Sequence, residues 1–591
     1  MEIKKTAIVI LTYNKLDYTK ACIDSIREYT SPGTYRLIVV DNLSTDGTRD
    51  WLAEQTDILT IFNEENVGFP KGCNQGIELA MNEDVLLLNN DILATENWLQ
   101  LMQECLYSDP KIGAVGPISN SAYGDQDIEV SYANLTEMWH FANEYNRFTP
   151  SDWEQKLKLI GFCMLIRKEV IDEVGMLDEI FTPGMCEDSD YSFRVIQAGY
   201  KLVLCHNVFI HHFGSTSFGE MPEMRKALWE KNRKIFEEKW GFHTAYDTQS
   251  REDLLELIDI KKGRNIPLKV LDVGCACGAT LLKAQYYWPD SERYGVEKNQ
   301  HSAAIASQIA NVSVGDAQSQ DYPEEFYDYI LVGDVLQELD NPWELIANLR
   351  RALKLEGQLI LSIPNAAHYK LIFSLITGKA LQANGEYSAL KRHHLFTLSD
   401  IVAGLEQSGF SMVQYTAVTL PTSDSTNQFV NELGNLAGNE NNEHLNILRY
   451  LVKVSKYSAF DMLQSKLQKF ENETDIQQAT EEIAELIRNG QTNSFDLIEA
   501  VRNSGHEDRQ KTFNILVNHF YKKGLFDNII PLLNASLEMG PEHYDTLYNY
   551  AFILHQVEAD EQALPYIDRI KNEGAEAANL YMEIYQHLNK Q

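Results

Sequence analysis

The segments TAIVILTYN (residues 6–14), DYTKACIDSIREYT (17–30) and YRLIVVDN (35–42) decide the fold of the first part of this chain. The outer two are short apolar runs that end in polar residues, and the middle one carries apolar side chains at helical spacing. Apolar runs bounded by turns and separated by amphipathic stretches predict βαβ units and a largely parallel sheet. The pattern continues to about Asn120. A later amphipathic stretch, MRKALWEKNRKIFEEKWG (224–241), closes the section, giving a first α/β domain over 1–245.

A second α/β pattern opens with PLKVLDVGCACG (267–278), a strand followed by a tight glycine turn and a helix start. It runs to YLVKVSK (450–456), so a second domain is expected over 250–458. Between Pro421 and His444 the chain is rich in Asn, Ser, Thr, Glu and Gly, and reads as a long loop before the last strand. Beyond Ser458 strand signals vanish and a helical domain is expected over 459–591. There YKKGLFDNIIPLL (from Tyr521) aligns with HQVEADEQALPYI (from His555), placing Pro531 and Pro565 34 residues apart. That period resembles tetratricopeptide (TPR) repeats; an ordinary pair of helical hairpins is the alternative.

Size agrees with this division: 591 residues exceed one hydrophobic core, and roughly 150 residues per domain predicts three or four. With 51 basic against 86 acidic residues the net charge is -35, which argues against nucleic acid as substrate and leaves protein partners open. No stretch approaches the roughly 20 apolar residues of a membrane span. The eight cysteines lie between Cys22 and Cys277, and none completes a zinc-type set, so they are expected to be buried thiols of a cytoplasmic protein.

Four features of the first section converge on one chemistry. Thr12-Tyr13-Asn14 follows the first strand and Asp41-Asn42 ends the second, so these polar groups should face the crevice beyond the strands' carboxyl ends. There Asp41 can accept hydrogen bonds from a nucleotide. Asn66-Val67-Gly68-Phe69, followed by Gly72, Asn74 and Gly76, offers small residues that let backbone approach a ligand. Leu86-Leu87-Leu88-Asn89-Asn90-Asp91 is an apolar strand ending in a carboxylate, well placed to hold Mg²⁺ or Mn²⁺. Glu187-Asp188-Ser189-Asp190, then Arg194, then His211-His212-Phe213-Gly214-Ser215, supply clustered carboxylates and an imidazole ligand. Repulsion within such a cluster can raise the pKa of one member and suit it to proton abstraction.

In this order and spacing the set resembles inverting glycosyltransferases of family 2, with the GT-A fold. The resemblance implies that Thr12, Asn14 and Asp41 contact the nucleoside, with Asn66, Gly68 and Asn90 completing the donor site. It implies that Asp91 holds the divalent metal, that His212 lies near the metal or diphosphate, and that Asp188 deprotonates the acceptor hydroxyl. This chain has Asn89 where the family's DXD motif carries its first carboxylate.

In the second section, Gly274 and Gly278 frame the turn after Asp272, Glu297 ends the next strand and Asp316 follows the third. Glu297 can accept ribose hydroxyls and Asp316 can meet an adenine amine. With YDYILVGDVLQELDNP (327–342) and HHLFTLSDIVAGLEQSGF (393–410), this run resembles class I S-adenosylmethionine-dependent methyltransferases. Where that family usually reads Leu-Glu-His, this chain has Leu336-Gln337-Glu338; His393 and His394 are candidate substitutes.

The whole is similar to bacterial enzymes that glycosylate flagellin or build surface glycans. It implies a UDP-sugar donor, N-acetylglucosamine as the sugar, and a Ser or Thr acceptor on a protein such as flagellin, captured by the helical domain. A surface-polysaccharide glycosyltransferase and methyltransferase is the first alternative. A repeat-mediated binding or regulatory protein with secondary enzyme domains is the second.

Overall fold

The structure is a computed structural model that describes residues 4–214, 222–258, 266–378, 394–419, 423–438, 442–456, 459–471, 475–488, 490, 492–506 and 508–589. Ser215 and His393 lie outside the described residues.

The first section folds around β1 (Thr6–Thr12), β2 (Tyr35–Asp41), β3 (Ile58–Phe62), β4 (Asp84–Asn89), β5 (Ile92–Leu93), β6 (Ile112–Ser119), β7 (Trp153–Lys156), β8 (Cys163–Ile166) and β9 (Lys201–His212). Their order is β3-β2-β1-β4-β8-β6-β9-β5, with β7 beside β9. Strands β1 to β4 run parallel, and β8 joins β4 antiparallel. Along β1, Ala7 and Val9 enter one hydrophobic cluster while Ile8 and Ile10 enter another. The central strand is therefore buried on both faces, which is why it reads as an unbroken apolar run.

The parallel register brings Thr12 opposite Asp41 and Leu11 opposite Asn89, so the polar strand ends emerge side by side. Gly72 and Gly76 lie in the helix Phe69–Leu79, and a Cβ on either would come within 2.3 Å of the Leu11 or Val9 side chain. They let that helix settle onto β1. This corrects the expectation that they bring backbone to a ligand: side-chain packing, not a site, requires their size.

The second sheet comprises β10 (Lys269–Val273), β11 (Glu292–Glu297), β12 (Asn311–Val314), β13 (Tyr327–Gly333), β14 (Leu353–Pro364), β15 (Ser411–Thr419) and β16 (Ile447–Ser455). The order is β12-β11-β10-β13-β14-β16-β15, parallel except for β16, which is antiparallel to both neighbours. Among the described residues, the stretch expected as a long loop before β16 is mostly helical. Residues Asp424–Ala437 form a helix whose first turn is capped by the Ser423 side chain. Its Val430 is buried and its Phe429 ring packs edge-on against Phe373 at 5.4 Å. Asn and other polar residues occupy most of the outer face, and the inward apolar residues Phe429, Val430 and Leu433 are few among them.

The two sheets share a core. Cys277, Leu282 and Ile305 of the second section cluster with Phe193, Phe236, Trp240 and Phe242 of the first. Beyond Ser455 no strand occurs among the described residues; eight helices from Ala459–Glu471 to Ala575–Leu588 pack around two hydrophobic clusters. Pro531 sits at the third position of the helix Ile529–Met539, in the turn where a missing N–H is tolerated. Among the described residues no helix is long and apolar enough to cross a membrane.

Candidate functional site

The crevice beyond β1, β2 and β4 is built from backbone ends and short side chains. Asp41 is fully buried, and its Oδ2 accepts from the Ser44 amide at 3.1 Å and from Arg49 Nη1 at 2.8 Å. Its Oδ1 has no partner, an uncompensated acceptor that a nucleoside donor would satisfy. Arg49, which the sequence reading passed over, therefore neutralises the carboxylate from behind. Asn14 has φ 58°, and its Oδ1 accepts from the Thr45 amide at 2.7 Å. Asn90 points inward: its Nδ2 donates to Thr12 Oγ1 at 3.2 Å and Thr19 Oγ1 at 2.9 Å, tying Asn90 and Thr12 into one buried network.

Asn66 Oδ1 accepts from the Gly68 amide, and the Gly68 carbonyl accepts from Asn42 Nδ2. Gly68 has φ +83°, and a Cβ there would lie 2.9 Å from Pro183 Cα and Thr182 Cγ2. Glycine is required on both counts.

Asp91 and His212 meet: His212 Nε2 lies 3.1 Å from Asp91 Oδ1, and both side chains are almost buried. Asn89 Nδ2 is 3.5 Å from the same nitrogen. The backbone of His212 is clamped to Asn120 through reciprocal bonds of 3.0 and 3.1 Å, and its Nδ1 meets the Ser121 carbonyl. Burial opposes the His212 imidazolium, but the hydrogen bond and charge of Asp91, with the Ser121 carbonyl, outweigh it and raise the pKa. His211 behaves differently. Burial, then the charge of His212, pushes it down to about 4, and Tyr132 OH lies 2.7 Å from its Nδ1.

An imidazole nitrogen beside a carboxylate oxygen at a strand end is a donor set that fits Mn²⁺ or Mg²⁺, with diphosphate oxygens left to complete the shell. Two protein donors, not three, meet here.

Asp188 stands in the first turn of the helix Glu187–Gln197, half-buried, with Oδ2 accepting from the Gly161 amide at 3.1 Å and Oδ1 from the Ser189 amide at 2.6 Å. Its neighbours divide the remaining roles. Asp190 is fully buried and pairs with Arg194, Lys239 and the Trp240 indole, so it holds the helix in place. Burial, then the charge of Asp188, pushes Glu187 well above the usual carboxylate range. Burial, with repulsion from Asp188 second, thus keeps Glu187 protonated near neutral pH. Met185 and Cys186 precede the helix with φ of 79° and 72°, left-handed conformations that cost energy.

In the second sheet, Gly274 has φ +77°, and a Cβ would come 2.5 Å from Val335 Cγ2. Gly278, also at positive φ, precedes the helix Ala279–Tyr287. Asp272 is buried, which lifts its pKa to about 7; Arg251 opposes the rise and Glu297 adds to it. The Glu297 oxygens accept from the Ala276 amide at 2.9 Å and the Asn299 amide at 2.7 Å, each keeping a lone pair for a further donor. Asp316 is exposed at the end of β12 and accepts from the Gln318 amide. These carboxylates around a glycine turn fit a cationic, ribose-bearing cofactor. The sequence reading missed Asp334, held by Arg251 at 3.0 Å, Arg449 at 2.7 Å and Ser362 at 2.8 Å. Its partners are 83, 115 and 28 residues away, so no local pattern announces them. His394 donates its amide to the Gln337 carbonyl at 3.1 Å, beside the segment that lacks the family histidine.

Two α/β sheets thus each gather carboxylates at their carboxyl ends. The family model Glycosyl transferase family 2 matches residues 7–175, and the Methyltransferase domain model matches residues 243–415. The chain thus carries a family 2 glycosyltransferase domain and a methyltransferase domain.

Among relatives, protein y4gI of Sinorhizobium fredii, uncharacterized, is 26% identical over 258 residues, 41% of this chain and 28% of that protein. The chain therefore spans little more than a quarter of that relative's length. Demethylmenaquinone methyltransferase of Listeria welshimeri is 23% identical over 225 residues, 32% of this chain and 92% of that protein. A Bacillus subtilis protein named as a teichuronic acid biosynthesis glycosyltransferase, TuaG, is 34% identical over 89 residues, 14% of this chain and 35% of that protein.

Proposed function

We propose that this chain is an inverting glycosyltransferase that moves N-acetylglucosamine from its UDP donor onto Ser or Thr hydroxyls of a protein such as flagellin, with a second site that binds S-adenosylmethionine for methyl transfer. The working units of this reading are 1–245, 250–458 and a TPR-like helical region over 459–591.

The observation that carries the transferase half is the convergence of Asp91, His212 and Asp188 on Gly161–Phe162. The Gly161 amide binds Asp188, and the Phe162 ring stacks on His212, which touches Asp91. Asp91 and His212 would hold a divalent cation, which supplies positive charge against the leaving nucleotide diphosphate. Asp188, aimed by the Gly161 and Ser189 amides, accepts the proton of the acceptor hydroxyl. Asp41, Asn14 and the loop fixed by Asn66 and Gly68 orient the nucleoside, while Thr12 and Asn90 brace the strand ends. In the second site Asp272, Gly274, Gly278, Glu297 and Asp316 line the place of the methyl donor. The stacked helices after Ser455 offer a surface for a polypeptide acceptor. Eight buried free thiols favour a reducing, cytoplasmic setting.

A panel of nucleotide sugars scored for turnover with and without Mn²⁺, followed by intact-mass measurement of flagellin, tests this reading. Turnover of a UDP-sugar and an N-acetylhexosamine mass increment are expected; no turnover of any donor overturns it. The likeness to TuaG favours a second reading, transfer to a surface polysaccharide. A mass increment on isolated glycan and none on flagellin would establish that one instead.

A further inference from the structure

The helical region holds a set of donor groups that neither transferase reading uses. Three of its last helices end or begin at one point. His555 lies in the last turn of Tyr544–Gln556, Asp560 opens Asp560–Ile567, and His587 lies in the last turn of Ala575–Leu588. His555 Nδ1 is 2.5 Å from Asp560 Oδ1, and His587 Nδ1 meets Asp560 Oδ2. Among the described residues this is the one place where three such donor groups gather, with all their ligand atoms within 4.8 Å of one another.

Two features separate this cluster from an ordinary surface ion pair. The Asp560 side chain is 1% exposed, and among the described residues its ion-pair partners are these two imidazoles alone. A buried carboxylate needs a positive charge or a metal beside it, and imidazole, unlike Lys or Arg, carries no permanent charge at neutral pH. The two rings also approach through the same nitrogen, Nδ1, from opposite oxygens of one carboxylate. Donors on a tetrahedral zinc stand roughly 3.3 Å apart, given metal–ligand distances near 2.0–2.1 Å. The His555–Asp560 contact of 2.5 Å is closer than that, so the two rings would move outward by roughly an ångström to admit one ion, which the 4.8 Å span of the group leaves within reach.

We propose that His555, Asp560 and His587 form a binding site for a divalent transition-metal ion of the zinc class. Two nitrogens and one oxygen supply three ligands, leaving a fourth position for water or a donor group from a bound partner. The ion fastens the helix Ala575–Leu588. The helix Ala575–Leu588 contributes Ala577, Leu580 and Ile584 to the terminal hydrophobic cluster, whose other members come from the two preceding helices and their connections. The metal ties its far end to both. It would thereby keep that helix from fraying at its C-terminal end.

The test uses the full chain, stripped with a chelator, dialysed against Zn²⁺ alone and passed through gel filtration, with bound zinc counted by atomic emission. One zinc per chain is expected to remain, with a rise in the thermal midpoint on loading. His587 is exposed enough for His587→Gln to fold. That variant should lose zinc affinity by more than the ~10–100-fold typical of changes outside the ligand shell. Asp91→Asn, in the transferase crevice, should retain the ion, which separates this site from the proposed donor-site metal. The proposal falls if the wild-type chain retains no zinc, if His587→Gln retains as much as wild type, or if Asp91→Asn is the variant that loses it.

Discussion

The imidazole of His212 stacks on the Phe162 ring, with centroids 5.2 Å apart and planes inclined by 16°. Phe162 thus sets the plane of the histidine that faces Asp91, and its neighbour Gly161 anchors Asp188. If Asp91 and His212 hold the metal, Asp91→Asn and His212→Gln should each raise the Mn²⁺ concentration needed for half-maximal donor turnover. Phe162→Leu touches neither the ion nor the sugar and should act in the same direction, by ~10–100-fold at most. A manganese titration of turnover for the three variants reads this out. Equal metal dependence in all would remove the ion from this pair.

Asp188 is the proposed base, and Asp188→Asn should lower transfer by ~10²–10⁴-fold, the usual worth of a positioned general base. Donor affinity should hardly change, because the amide can still pack against Gly161. Glu187→Gln is the informative companion. The buried Glu187 carboxyl is already held protonated near neutral pH, so the swap should cost far less activity. Initial rates and donor binding, measured side by side, decide between the two carboxylates. A larger loss in Glu187→Gln would transfer the base to that residue.

What could be read ahead of the structure followed from local order. TAIVILT announced a strand buried on both faces because every residue is apolar or small, and the polar residues right after it announced a crevice. Asp91 and His212 were each singled out, yet 121 residues separate them and nothing local says that they touch. Phe162 looked like one more apolar residue beside Cys163. Its importance comes from a ring contact across the sheet, which no spacing encodes. The Asp424–Ala437 helix was missed for another reason: Asn427, Gln428, Asn431, Glu432 and Asn435 dominate its described exposed face, and composition outweighed the sparse apolar residues.

Asp272 gives the second site a pH signature. Its folded-state pKa is about 7, well above the ordinary carboxylate value of 3.8, because burial disfavours the charge. A raised carboxyl pKa contributes stability that is fully present below pH 4 and lost as pH rises through about 7. The thermal midpoint of the unliganded wild type should therefore fall relative to Asp272→Asn between pH 5 and 8. S-adenosylmethionine carries a sulfonium and favours the ionised carboxylate, so its stabilising effect should be larger at pH 8 than at pH 6. Scanning calorimetry at both pH values, with and without the cofactor, checks each sign. A ligand shift independent of pH would place the cofactor charge away from Asp272.

Glu154 is the electrostatic joint between the two sheets. It is 1% exposed on β7, and it pairs with Lys156 at 2.7 Å, His206 at 2.7 Å and, from the second section, Lys283 at 3.2 Å. Burial alone would raise its pKa; the hydrogen bond from His206 and the charges of Lys156 and Lys283 reverse this and hold it at about 2. Its contribution is present above the unfolded value of 4.5 and is lost as pH falls through about 2. Removing one partner of a buried pair costs more than the pair is worth, because the other charge stays buried. Glu154→Gln should thus destabilise the chain by about 3 kcal/mol, the lower end for such pairs. Lys283 still has Glu252 at 3.1 Å, and Lys156 still has Asp125 at 2.5 Å, which limits the loss. The double variant Glu154→Gln/Lys283→Met removes the stranded charge and should recover part of it. Hydrogen exchange would locate the effect in Trp153–Lys156 and Ala279–Tyr287, on the two sides of the joint. If both variants unfold like wild type, the two sheets are held together by the shared core of Phe193, Trp240 and Leu282 alone.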